Sequence, residues 1–143
     1  MPPYSLRRLL WGGPIATVAA ILAALLYYGV TKALGEQYML PLDENNSYFG
    51  PMPHLMPVIA ILIPGLLATG FFGLLIRFSR KPATVFLSVS VAALFLSFGG
   101  PFNLPAAPMQ TKLLLSGMQI LSAGVISSGI LLISHKDAKN NPP

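Results

Sequence analysis

Four apolar stretches, about 9–30, 55–76, 83–98 and 113–133, alternate with short polar joints along the chain, and none of them contains Asp, Glu, Lys, Arg or His. A hydrocarbon core about 30 Å thick is crossed by about 20 apolar residues in helical form, and lipid admits only helices or closed barrels. The pattern therefore predicts an all-α fold: an integral membrane four-helix bundle forming a single transmembrane domain over 1–143. Loops 31–54 and 99–112 lie at one end of the bundle, and the 77–82 turn lies at the other with both termini. The third run has only 16 residues before Gly99-Gly100-Pro101. It is expected to borrow a turn from its flanks or to lie partly shielded by its neighbours.

Composition sharpens this picture. With 54% hydrophobic residues, 9% charged residues and a mean hydropathy of +0.68, the chain is too apolar for an ordinary soluble domain. The formal charge of +5 does not point to nucleic acid, because the basic residues do not cluster with aromatics. They sort by side instead. Arg7, Arg8, Arg77, Arg80, Lys81, Lys136 and Lys139 fall at one end of the spans, against Lys32 and Lys112 at the other. By the positive-inside rule both termini and the 77–82 turn are cytoplasmic. Trp11 and the Tyr27-Tyr28 pair sit at opposite edges of the first span, where amphipathic rings favour the interface. Arg7-Arg8 before an apolar run resembles a secretory leader, but the run exceeds the 7–15 residues or so of a signal core and is expected to stay as a span. Zero cysteines exclude disulfides, iron–sulfur ligation and a cysteine nucleophile.

Loop 31–54 carries three of the four acidic residues, Glu36, Asp43 and Glu44, and the turn-forming run Asn45-Asn46-Ser47. Phe49-Gly50-Pro51 and Phe98-Gly99-Gly100-Pro101 echo each other and read as two Gly/Pro turns over the outer face. Residues 136–143 read as a disordered tail.

Helices in lipid lack a hydrophobic drive toward one another, so small residues must let them approach. Ala16, Ala20 and Ala24 form one such stripe on span one. Gly117, Gly124 and Ser128 form another on span four, and Gly70 and Gly73 mark span two. Pro64, near the middle of span two, removes a backbone donor and clashes with the carbonyl of Ala60, predicting a kink.

Few side chains are candidates for chemistry. His54, flanked by Pro53 and Pro57, is a candidate ligand for a metal with Glu36, Asp43 or Glu44, or for a pigment magnesium. His135 lies beyond span four, on the other side, so a bis-histidine haem is excluded by topology. Gln119 is the most polar side chain within any span, and an amide in hydrocarbon needs a partner on another helix, a ligand or a second subunit. Thr84, Ser88, Ser97 and Ser116 are available to help it. The absence of ionisable groups from the apolar runs argues against proton relays, pumps and voltage sensors, and against acid–base or nucleophilic catalysis.

Leu6-Arg7-Arg8-Leu9-Leu10 before Gly12-Gly13-Pro14, Ser97-Phe98-Gly99-Gly100-Pro101, Thr111, and the Leu115, Met118-Gln119 and Ala123 run together resemble a family of small bacterial four-helix integral membrane proteins, a domain of unknown function. The resemblance covers most of the chain and implies a bacterial inner-membrane location. Three functional expectations follow. The first is a non-catalytic accessory or structural subunit packing among other membrane protein subunits and lipids. The second is a binder or carrier of a quinone, carotenoid or lipid, using Pro64 and Gln119. The last is a membrane enzyme using His54 and the acidic loop. The sequence names no cofactor, and it does not distinguish a plasma membrane from a photosynthetic internal membrane.

Overall fold

The computed structural model describes residues 4–41, 49–53, 55–103 and 107–135. Helix α1 covers Leu6–Ala33, α2 Leu55–Phe78, α3 Pro82–Ser97, the short α4 Gly99–Phe102 and α5 Met109–Ser134. Strands β1 (Met39–Pro41) and β2 (Phe49–Pro51) pair antiparallel in the first long loop, with Leu40 opposite Gly50. Four helical segments are long and apolar enough to cross a membrane, so the architecture is the membrane bundle expected. The helices overrun the apolar runs because backbone hydrogen bonding continues past the first charge. Arg7, Arg8, Lys32, Arg77 and Lys112 occupy terminal turns, where long stems keep their charges near water.

The third span borrows its missing turn. Phe98 keeps helical angles and donates its N–H to Leu94 O at 3.2 Å, so Pro82–Phe102 forms one 21-residue segment. Pro101 has no N–H to give the Ser97 carbonyl one turn back, and that carbonyl accepts from Gln119 Nε2 instead. The two echoing Gly/Pro segments are therefore not matching turns: Phe49–Pro51 is a strand and Gly99–Phe102 a helical turn.

Small residues hold α1 to its neighbours. Gly13 faces Thr69 and Gly65 faces Thr17, so the i,i+4 pairs Gly13/Thr17 and Gly65/Thr69 clasp each other across antiparallel α1 and α2. Each threonine hydroxyl donates back to its own glycine's carbonyl, Thr17 to Gly13 O at 2.9 Å and Thr69 to Gly65 O at 2.8 Å. That bond satisfies the hydroxyl and frees the methyl for packing. Ala16, Ala20 and Ala24 are buried as expected, and Ala16 packs where Gly129 of α5 leaves room.

The stripe expected on α5 is only partly a packing surface. Gly117 meets the Tyr27 hydroxyl, with 2.5 Å left for a Cβ, but Gly124 and Ser128 are exposed and Gly124 has nothing near it. The buried row is instead Met118, Ser122, Ile126, Ile130 and Ser134, spaced i,i+4. Such a row winds about 40° around the helix at each step, whereas residues seven apart hold nearly one bearing. By Gly124 the two have separated to opposite faces. On α2, Gly73 packs against Leu9 while Gly70 is exposed.

At one end the start of α1 meets the end of α5. Ser5 N–H donates to Ser134 O at 2.9 Å, Arg8 Nη1 donates to His135 O at 2.8 Å, and Tyr4 forms a bridge with His135. The Tyr4 ring stands edge-on to Phe72 at 5.2 Å. Phe72 in turn packs on Phe86 of α3 at 4.9 Å, and both are fully buried.

The β-hairpin covers the opposite end. Tyr28 is not an interfacial ring facing lipid: it is buried, packs against Tyr38 with the rings tilted at 50° and 4.8 Å apart, and donates its hydroxyl to Met52 O at 3.2 Å. Thr111 ties the hairpin to α5 by donating to Gln37 O at 3.3 Å and accepting the Met39 N–H at 3.4 Å. The Tyr38 hydroxyl shares a 2.7 Å hydrogen bond with Thr31. Burial pushes the Tyr38 phenol above its ordinary value, helped by Tyr27, Tyr28 and Glu36 and opposed by the Thr31 bond. The folded chain keeps this proton where the unfolded chain has released it. The associated stability is complete below about pH 10 and is lost as pH rises through the folded value. Above pH 10 the melting temperature of the wild-type protein is expected to fall more steeply than that of Tyr38→Phe; equal alkaline slopes would refute the assignment.

Candidate functional site

Helix α3 is packed closely at its start and held more loosely along the rest of its length. Pro82 and Phe86 are buried, and Phe86 packs on Phe71 and Phe72, but no residue from Leu87 to Ser97 is buried. Between this loosely held stretch and helices α2 and α5 lies a cavity of about 450 Å³. Ile61, Met118, Ser122 and Ile126, all buried, form its floor, and Leu40 and Met52 of the hairpin region close one end. Ala60 and Pro64 of α2 and Ala93 and Ser97 of α3 line it from exposed positions, so it opens sideways between these two helices. The reason is local. Small side chains at Ala60, Ala93 and Ala123 do not span the gap between helices, and protein interiors seldom leave a space of this size unfilled.

Two residues singled out by sequence meet here. Pro64 lines the cavity within an α2 helix that continues on both sides of it. Because proline has no N–H, the Ala60 carbonyl lacks its usual helical donor. Gln119 lines the opposite wall and donates Nε2–H to Ser97 O at 3.4 Å, the cross-helix bond expected of it. Its Oε1 is buried and has no hydrogen-bond partner among the described residues. The Ser97 carbonyl only accepts, which fixes the amide with nitrogen toward it. The hydroxyls nearby are already committed as donors, Ser97 to Leu94 O at 2.9 Å and Ser122 to Met118 O at 2.7 Å.

Other expectations fall elsewhere. His54, Asp43, Glu44, the Asn45-Asn46-Ser47 run and residues 136–143 lie outside the described residues. Among the described residues no three His, Cys, Asp or Glu side chains converge as a metal site. Thr84 and Ser88 are exposed and away from Gln119, and Ser116 donates to Lys112 O at 2.8 Å. Sequence reasoning missed the α3 wall. Its signal is the spacing of Ser90, Ala93 and Ser97, small residues recurring at i, i+3 and i+7 on one helical face.

The fold and cavity define a polytopic membrane protein with an apolar chamber open between two of its helices. Residues 4–132 match a family of unknown function (DUF6069), and the chain belongs to that family. No curated protein and no solved structure matches it.

Proposed function

We propose that the protein holds a lipophilic small molecule in the cavity between α2, α3 and α5, and that it is not an enzyme. The observation that carries this reading is an apolar chamber of about 450 Å³ that opens sideways between α2 and α3 and has few polar side chains in its lining, Gln119 among them. Its size suits a small-molecule site, which is commonly mostly apolar with few polar points. The apolar runs supply no ionisable side chain to act as acid, base or nucleophile there. On the seven-to-two distribution of basic residues, we place both termini in the cytoplasm and the hairpin outside. The host is a bacterial plasma membrane or a photosynthetic internal membrane.

A second reading, an accessory subunit in a larger assembly, is favoured by Gly70 and Gly124. Both are exposed with open space beside them, and Ser128 adjoins Gly124 on the outer face of α5. Small residues on an outward face allow another helix to approach closely.

One experiment separates the two. The untagged protein is purified from its native membranes in mild detergent, and co-purifying small molecules and proteins are identified by mass spectrometry. A single lipophile at about one per chain is the expected result. A reproducible set of larger subunits with no lipophile would replace it with the accessory reading.

A further inference from the structure

Resting on the cavity reading, we propose that the occupant is a single acyl chain of a membrane lipid, drawn from the leaflet on the hairpin side and measured against a floor made by Phe72 and Phe86. The cavity is a slot rather than a round chamber. Its lining runs from Met56 to Ala68 on α2, from Leu115 to Ser127 on α5, and from Pro101 of α4 to Ser90 of α3. At a rise of about 1.5 Å per residue, each wall is about 18 Å long. Spread over that length, 450 Å³ leaves a mean section of about 25 Å², or about 5 Å on a side. Non-bonded carbons approach to about 3.5–4.0 Å, so the slot passes one hydrocarbon chain but not two abreast. A partner helix, about 10 Å across, is too wide for it.

The depth of the slot is that of one leaflet. Met56 and Leu115 lie at the start of the second and fourth apolar runs, at the membrane edge, while Ala68 and Ser127 fall just past the middle of those runs. Half of a hydrocarbon core is about 15 Å. A rod that spans the bilayer overshoots the slot about twofold, and a compact fused-ring body leaves most of its length empty. The inner end is stopped. Phe72 and Phe86 lie one turn beyond Ala68 and Ser90, fully buried with ring centres 4.9 Å apart, and close α2 onto α3 there. Leu40 and Met52 shut the interface end, so the chain enters sideways past Ala60, Pro64, Ala93 and Ser97. Its polar end stays outside, beside the exposed Met56. The walls ask for no polar group along the chain. The Ser97 and Ser122 hydroxyls bond within their own helices, and Ser90 and Ser127 can turn back in the same way.

The test uses the full chain in phospholipid nanodiscs carrying small equal amounts of saturated monoacylglycerols, from decanoyl to behenoyl, together with cholestanol as a rigid probe. Native mass spectrometry reads what the ejected protein retains. An extended chain advances about 1.2 Å per bond, so about 15 carbons reach the floor. Retention is expected to rise about tenfold from decanoyl to that length, as empty volume is filled, and then to level off because further carbons stay in lipid. Ser90→Phe raises the floor by one helical turn and is expected to move the break about four carbons shorter. If that variant does not fold, Ala68→Phe raises the floor from the other wall and should give the same shift. Retention with no break in length, or of cholestanol in preference, would overturn the chain and leave the cavity reading standing. A break that stays in place in the folded variants would overturn the floor. Retention of no probe would overturn both readings.

Discussion

Gly65→Ala is expected to weaken the bundle by about 1–3 kcal/mol, the usual cost of forcing extra volume into a packed contact. A Cβ there would lie 2.5 Å from Thr17 Oγ1, 2.6 Å from its Cγ2 and 3.0 Å from its Cβ, so no rotation of the threonine clears it. The helices must separate. Gly13→Ala is expected to cost at least as much, because a Cβ at Gly13 would overlap the Thr69 methyl and hydroxyl and come within 2.7 Å of its Cβ. Thr17→Ala removes two of the three clashing atoms opposite Gly65. The double variant should therefore lose less than the sum of the single losses, by about 0.5–3 kcal/mol, the range seen for residues in contact. Reversible unfolding in mixed micelles gives all four corners of the cycle. Strict additivity would mean that α1 and α2 do not meet through this clasp.

Blocking the cavity should abolish whatever it holds without harming the fold. Ala60 and Ala93 are exposed residues on the two helices that flank the opening, so phenylalanine at both fills empty space rather than displacing packed atoms. The Ala60→Phe/Ala93→Phe protein is expected to retain at most about a tenth of the co-purifying lipophile, since occupying even part of a pocket removes more than the 1.4 kcal/mol that a tenfold change represents. Its melting temperature is expected to stay level or rise, as cavity-filling changes commonly stabilise. Undiminished lipophile in a folded double variant would place the binding site elsewhere on the molecule.

Much of the fold was readable from composition because lipid leaves few alternatives. A run such as Leu55–Ile76 has one way to satisfy its backbone in hydrocarbon, and α2 begins at the residue where that run begins. Helix ends were less readable. A charge marks the end of an apolar run but not of a helix, so α1 starts at Leu6 and α5 at Met109. The hairpin was missed because three-residue strands containing Pro41, Gly50 and Pro51 carry no strand pattern; they exist through their pairing with each other and through bonds that Tyr28 and Thr111, on other parts of the chain, make to the hairpin region. The packing stripe expected on α5 holds at Gly117 and not at Gly124 or Ser128, for a geometric reason. Sequence spacing shows which residues share a bearing, but the bearing that is buried depends on how two helices cross, and Gly129 rather than Gly124 lies at the crossing. Gln119 and Pro64 could be chosen by chemistry alone. That they share one cavity depends on the small residues Ser90, Ala93 and Ser97 of α3 facing them, which only the packing of three helices brings together.

The join between the start of α1 and the end of α5 also bears on the order in which the chain can assemble. Of these helices α1 is made before the others, yet Gly129 and Ile133, which receive Ala16 and Gly12, belong to α5, made after the rest of the bundle. Until α5 arrives, α1 has only the α2 clasp to hold it, and its alanine face remains against lipid. Contacts so far apart in the chain form late and close the longest loop. The bundle thus shuts like a clasp bracelet, and a chain cut short before Met109 would be an open three-helix ribbon with its most closely packed seam unmade.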